Sequence, residues 1–191
     1  MKLLLLILSL TSSFAFAHSA ESTAGFIDGV IHPLSGWQHL FAMLAVGVLS
    51  SRFGGSTIWQ VPAVFIASML FGLYLGERGF ELPHFELAIA VSLILLGGLL
   101  ALKRMPPLYM MVSFVLFFGV FHGYAHGIEI GGLINPTGFR KGFFLGSVLI
   151  HIIGVMFGMV PKQYRKYHKV VNASGYGYIT LGIFSVLVGS I

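Results

Sequence analysis

Apolar residues fill this chain in six continuous stretches, roughly 36–52, 57–76, 84–102, 108–127, 139–160 and 173–190. Each is near the ~20 residues that a membrane-spanning helix needs. The runs lack the strict apolar–polar alternation of strands, so the expected fold class is all-α and not a sheet or barrel. Turn chemistry separates them: Gly54-Gly55, Gly76 to Pro83, Pro106-Pro107, Asn135-Pro136 and the basic run Lys162 to Lys169. The pattern describes a polytopic membrane protein with six transmembrane helices.

A seventh, shorter apolar run has a different character. Lys2 precedes Leu3–Leu10, and a polar patch then leads to Ala15-Phe16-Ala17. A basic start, a short apolar region and an A-x-A close make a cleavable signal peptide over residues 1–17. The alternative is an uncleaved first helix, but the run is well short of a span. Residues 18–191 then form one six-helix domain. His18 becomes the mature N-terminus, where its amine and imidazole can chelate a metal together; the alternative is a terminus with no ligand role.

Composition agrees with a bilayer setting. The chain has 191 residues, 57% of them hydrophobic and only 9% charged, with a mean hydropathy of +0.92; soluble domains carry about 25% charged residues. No cysteine is present, which excludes disulfides, iron–sulfur clusters and zinc thiolates. Any metal must be held by nitrogen, oxygen or thioether. The net charge of +5 comes from basic residues in the loops, so it reads as topology and not as a nucleic-acid partner.

Charge also sets the orientation. Signal cleavage places the mature N-terminus in the periplasm, and six spans return the C-terminus there, across a bacterial inner membrane. The inward loops then hold Arg52, Lys103, Arg104, Lys162, Arg165, Lys166 and Lys169 without an acid, against Arg78, Arg140 and Lys141 outside. That is the positive-inside bias, reached independently of the signal peptide. The six acids, Glu21, Asp28, Glu77, Glu81, Glu86 and Glu129, lie outside or near outer helix ends, where they would concentrate cations.

The polar residues inside this apolar frame carry the candidate chemistry. In Phe121-His122-Gly123-Tyr124-Ala125-His126-Gly127-Ile128-Glu129, the two histidines and the acid sit at i, i+4 and i+7, on one helical face. In His32-Pro33-Leu34-Ser35-Gly36-Trp37-Gln38-His39, Pro33 is expected in the first helical turn, with His32, Gly36 and His39 sharing a face. Glu86 opens the third span at a similar depth. His151 lies about a dozen residues into the fifth, or about 17 Å at 1.5 Å per residue, near the midplane. Ionisable residues in apolar spans are costly and face a bundle interior or an aqueous path. Imidazoles with carboxylates suit a divalent transition metal.

Other patterns are structural. Glycines recur at four-residue spacing in Gly119/Gly123/Gly127, Gly72/Gly76, Gly142/Gly146 and Gly154/Gly158, which lets helix backbones approach closely. Scattered methionines admit copper(I) but are more often packing. Three spans followed by three allow an inverted repeat, as in many transporters. No G-x-x-x-x-G-K-[ST] stretch is present, so the chain has no P-loop, and no H-E-x-x-H marks a metalloprotease.

The two histidine motifs together resemble the HupE/UreJ family, small bacterial membrane proteins linked to hydrogenase and urease gene clusters and regarded as nickel or cobalt permeases. The resemblance covers essentially the whole chain, including Glu86 and His151. It implies uptake of Ni²⁺ or Co²⁺ as transported substrate, with His32, His39, His122, His126 and Glu129 as functional positions and no prosthetic group. The family's first motif usually reads H-P-x-x-G-x-D-H, and here the acid position is Gln38, an amide that offers a carbonyl oxygen without charge. Two rival readings are a metal-binding sensor or accessory protein for hydrogenase or urease maturation, and an intramembrane metalloenzyme with Glu129 as general base. Self-association into a homo-oligomer is left open by the sequence.

Overall fold

A computed structural model describes residues 25–102, 104–130, 136–160 and 165–189. The signal-peptide reading and His18 lie outside them. Seven helices account for nearly all of the described chain, with no strand among the described residues. They are α1 (Phe26–Ser35), α2 (Trp37–Phe53), α3 (Thr57–Glu77), α4 (Phe85–Ala101), α5 (Leu108–Ile130), α6 (Pro136–Gly158) and α7 (Arg165–Gly189).

Helix α1 departs from the sequence expectation, which placed Pro33 in the first helical turn and no separate helix before the first span. The Asp28 carboxylate accepts the Gly25 N–H at 2.8 Å and caps the start of α1. Gly36, at φ −91° and ψ 97°, breaks the chain between α1 and α2. Pro33 therefore sits in the last turn of α1, not in the first turn of a span, and His32 and His39 reach the site from two helices. The other breaks fall where turn chemistry placed them. Gly54 and Gly55 end α2 at φ 78° and 57°, and Gly79 follows α3 at φ 72°, backbone conformations that glycine adopts at little cost.

Four helices are long and apolar enough to cross a membrane by length and composition: Thr57–Glu77, Leu108–Ile130, Pro136–Gly158 and Lys169–Val188 within α7. Helix α4 is apolar but has only 17 residues. Helix α2, also of 17 residues, is the most enclosed, with Ala42, Met43, Ala45, Val46 and Leu49 at 1% exposure or less. Large apolar side chains such as Trp59, Phe71, Phe117, Met156, Phe157 and Leu187 face outward. Water would penalise that surface; lipid does not.

The helices pair through glycines. Helix α3 lies along α5, α4 along α7, and both α1 and α2 along α6. A Cβ on Gly123 would sit 1.8 Å from the Met69 carbonyl oxygen, and one on Gly142 only 1.9 Å from that of Phe26. No side chain fits at either place, so backbone meets backbone. Exchanging α2–α4 with α5–α7 carries the α3–α5 pair onto α2–α6 and returns α4–α7 onto itself. The symmetry is partial, because α2 packs on α4 whereas α5 and α7 have no comparable contact among the described residues.

Polar contacts at helix ends show that the long helices alternate in direction. At one end, Arg52 donates to the Leu100 and Leu102 carbonyls at 3.2 and 3.3 Å and to the Asn172 amide oxygen at 3.1 Å, joining α2, α4 and α7. At the other, Arg140 pairs with Glu77 at 2.7 Å, the Tyr124 hydroxyl accepts the Leu82 N–H at 3.1 Å, and Gln38 donates to Ser185 at 3.0 Å. The histidine site lies at this second end.

Candidate metal centre

The face of α5 carrying His122, His126 and Glu129 is turned into the bundle at its upper end. His126 is 3% exposed and His122 1%, whereas the Glu129 side chain, at the helix end, is 59% exposed. Helix α1 brings His32 alongside. Its Nε2 lies 2.9 Å from Glu129 Oε2 and 2.9 Å from His126 Nδ1, while His126 Nδ1 to Glu129 Oε2 is 3.9 Å. A first-row cation about 2.0–2.1 Å from each ligand spaces neighbouring ligand atoms by about 2.9–3.4 Å. Two of the three spacings already match, and rotation of the exposed Glu129 carboxylate can close the third. His32, His126 and Glu129 can therefore hold a metal ion, and their ligand atoms all lie within 4.8 Å of one another.

Beneath this outer group, α2 contributes His39, 8% exposed. Its ring centroid lies 4.2 Å from that of His126 and 4.8 Å from that of His122. Burial here leaves bonding capacity unused. His39 Nε2, His122 Nδ1 and His126 Nε2 are all enclosed without a hydrogen-bond partner among the described residues. An unsatisfied buried polar atom costs about 1–3 kcal/mol, so three in one place are a substantial expense unless a ligand uses them.

Ser92 decides which nitrogen His122 offers. The Ser92 hydroxyl donates to the Ile89 carbonyl at 2.7 Å, so its oxygen can only accept from His122 Nε2, 2.9 Å away. The proton of neutral His122 is thereby on Nε2, and Nδ1 carries the lone pair. His151, on α6 and 2% exposed, shows the same logic: Nδ1 donates to the Ser147 carbonyl at 2.8 Å, leaving a bare, buried Nε2. The Phe65 ring, on α3, contacts both histidines, with centroid distances of 5.6 Å to His122 and 5.5 Å to His151. His151 also borders an apolar cavity of about 290 Å³ between α3 and α6, lined by Trp59, Pro62, Ile66, Phe144 and Val148 among others.

Five of the sequence candidates thus come together: His32, His39, His122, His126 and Glu129. Glu86, in the first turn of α4, is exposed and is not one of the grouped ligands. The Gln38 side chain is directed to Ser185 on α7 and makes no bond with the histidines. His151 contacts Phe65 but is not one of the grouped ligands. Ser92 and Phe65 were not among the sequence candidates. Ser92 did carry a signal, as the only polar side chain in α4 besides Glu86; Phe65 is one of 18 phenylalanines and had none.

A profile of the family described as HupE / UreJ protein matches residues 5–185. Protein HupE of Rhizobium leguminosarum bv. viciae is 36% identical over 177 residues, covering 93% of this chain and 92% of that protein. No solved structure matches. A profile match along nearly the whole chain, together with a full-length relative, shows that the chain belongs to the HupE/UreJ family.

Proposed function

We propose that this protein is a secondary permease that takes up a divalent transition metal, Ni²⁺ or Co²⁺, across the bacterial inner membrane. In this reading six helices, α2 to α7, span the bilayer after removal of residues 1–17, both mature termini are periplasmic, and residues 18–191 form a single permease domain. The observation that carries the proposal is the group His32, His126 and Glu129, two imidazoles and a carboxylate at metal-ligand spacing, where α1 brings His32 to the end of the apolar helix α5. Nitrogen donors with one carboxylate suit Ni²⁺ and Co²⁺ and also admit Zn²⁺. The metal is cargo and needs no prosthetic group beside it. His151, in contact with Phe65, marks the continuation of the path inward, and Glu86 and His18 serve as outer capture groups. No enzymatic turnover is required of the site. Family membership ties the chain to hydrogenase or urease maturation as its functional setting.

The test is accumulation of radiolabelled nickel in cells expressing the chain, beside His126→Ala at matched membrane levels. Uptake that the substitution abolishes is expected. Binding without uptake, for nickel, cobalt and zinc alike, would replace the permease with a membrane metal sensor or maturation partner.

A further inference from the structure

We infer that the Glu77–Arg140 ion pair is a latch between two rigid helix units, and that a metal ion on His32, His126 and Glu129 closes the same two units against each other. The inference rests on the permease reading and supplies its moving parts. The units follow from the glycine contacts. In one, Gly72 and Gly76 of α3 lie on the Val120 and Tyr124 carbonyls of α5, and Gly123 and Gly127 return the contact to α3. In the other, Gly142 and Gly146 of α6 lie on the Phe26 and Val30 carbonyls of α1, and Gly154 lies on the Leu44 carbonyl of α2. Backbones this close leave no side chains between them to repack, so each set moves as one body.

Glu77 follows Gly76 on the first unit, and Arg140 lies two residues before Gly142 on the second. Their side chains meet at 2.7 Å at the histidine end. His126 and Glu129 belong to the first unit and His32 to the second, so the metal ligands are divided between the same two bodies. Toward the Arg52 end the units part. Trp59, Ile66 and Leu70 of α3 and Phe144, Val148 and Val155 of α6 line the cavity of about 290 Å³ between them, where native interiors hold few voids larger than a water molecule. Two bodies tied at one end and separated along the rest can rock. Closing the cavity parts the histidine end, breaks the Glu77–Arg140 pair and draws His32 away from His126 and Glu129. The pair suits a contact that must break: Arg140 is 43% exposed, and partly exposed pairs are weak. A metal ion reaches all three ligands only in the closed arrangement, and that difference in affinity is what shifts the population.

The chain has no cysteine, so spin labels can be placed in pairs on the full-length protein in lipid nanodiscs. Tyr74→Cys with Lys141→Cys reports the histidine end, and Gln60→Cys with Met156→Cys the opposite end; all four side chains are exposed. Double electron–electron resonance reads both distances without metal and with Zn²⁺, which is d¹⁰ and silent in the measurement. Glu77→Gln is expected to raise the population with a long histidine-end distance by up to about 5-fold. The opposite pair is expected to shorten to match, and Zn²⁺ to reverse both changes. The charge exchange Glu77→Arg/Arg140→Glu is expected to restore the wild-type distances, which a merely structural role would not do. Arg140→Gln repeats the test if Glu77→Gln fails to fold. Unchanged distances in both single variants, a longer histidine end without a shorter opposite pair, or no rescue by the exchange would overturn the latch. Distances that Zn²⁺ leaves unaltered would overturn the part given to the metal. Nickel uptake into vesicles is read separately. Uptake with distances that do not respond removes this inference alone, and responding distances without uptake remove the permease reading alone.

Discussion

At the scale of single residues, the site depends on which nitrogen each histidine presents. Metal binds neutral imidazole, so protons compete with it and affinity is expected to fall as the solution is acidified. Titration of the purified protein with Ni²⁺ at a series of pH values from neutral down to the acid edge of its folded range checks this; equal affinity throughout would contradict it. Glu129 supplies the outer group's only charge. Second-shell partners are worth about 10–100-fold in metal affinity, and Glu129→Gln, which removes a direct ligand's charge, is expected to cost at least that much in the same titration. The spacing of His122, His126 and Glu129 made their common face legible in the sequence. The roles of Ser92 and Phe65 were not, because they depend on contacts between α3, α4, α5 and α6 that no local pattern encodes. Gln38 is the reverse case: its place in the motif pointed to the site, and its side chain reaches Ser185 instead.

At the scale of helices, close packing through glycine positions the histidines. Gly123 follows His122 and lies against the Met69 carbonyl. Gly123→Ala must push α3 and α5 apart and is expected to destabilise the protein by about 1–3 kcal/mol, as overpacking does. Gly98 in α4 has nothing within 4 Å of an added Cβ, so Gly98→Ala is expected to be neutral or to stabilise by up to about 1 kcal/mol through helix propensity. Thermal unfolding of the two variants in one detergent separates them; equal effects would mean that the glycine contacts do not set the helix spacing. The four-residue glycine spacing forecast this packing, and the apolar runs located α2 to α5 within a few residues. Two elements were harder to read. Helix α7 starts at Arg165 instead of 173, because its first two turns are too polar to register in an apolar count. Helix α1 was hidden for the same kind of reason: Asp28 and three glycines over 25–36 mimic a loop, yet Asp28 caps the helix and Gly29 packs on Phe139.

At the scale of the molecule, the two ends differ in chemistry. One carries the histidines and Glu129 beside the Arg140–Glu77 pair. At the other, Arg52 satisfies carbonyls of the last turn of α4 that would otherwise lack donors. Arg52→Ala is expected to lower the unfolding temperature while leaving Ni²⁺ affinity at the distant site unchanged; a matching loss of affinity would show that the two ends are coupled. In the proposed topology the Arg52 end faces the cytoplasm and the histidine end the periplasm, as the charge bias suggests. The central claim is movement of metal between those ends. The most direct measurement is nickel accumulation inside proteoliposomes holding the purified protein, with His126→Ala as the paired control. Nickel retained in the lumen with the wild type and absent with the variant is the predicted result. Nickel that stays bound to the protein, with none gained by the lumen, would contradict it.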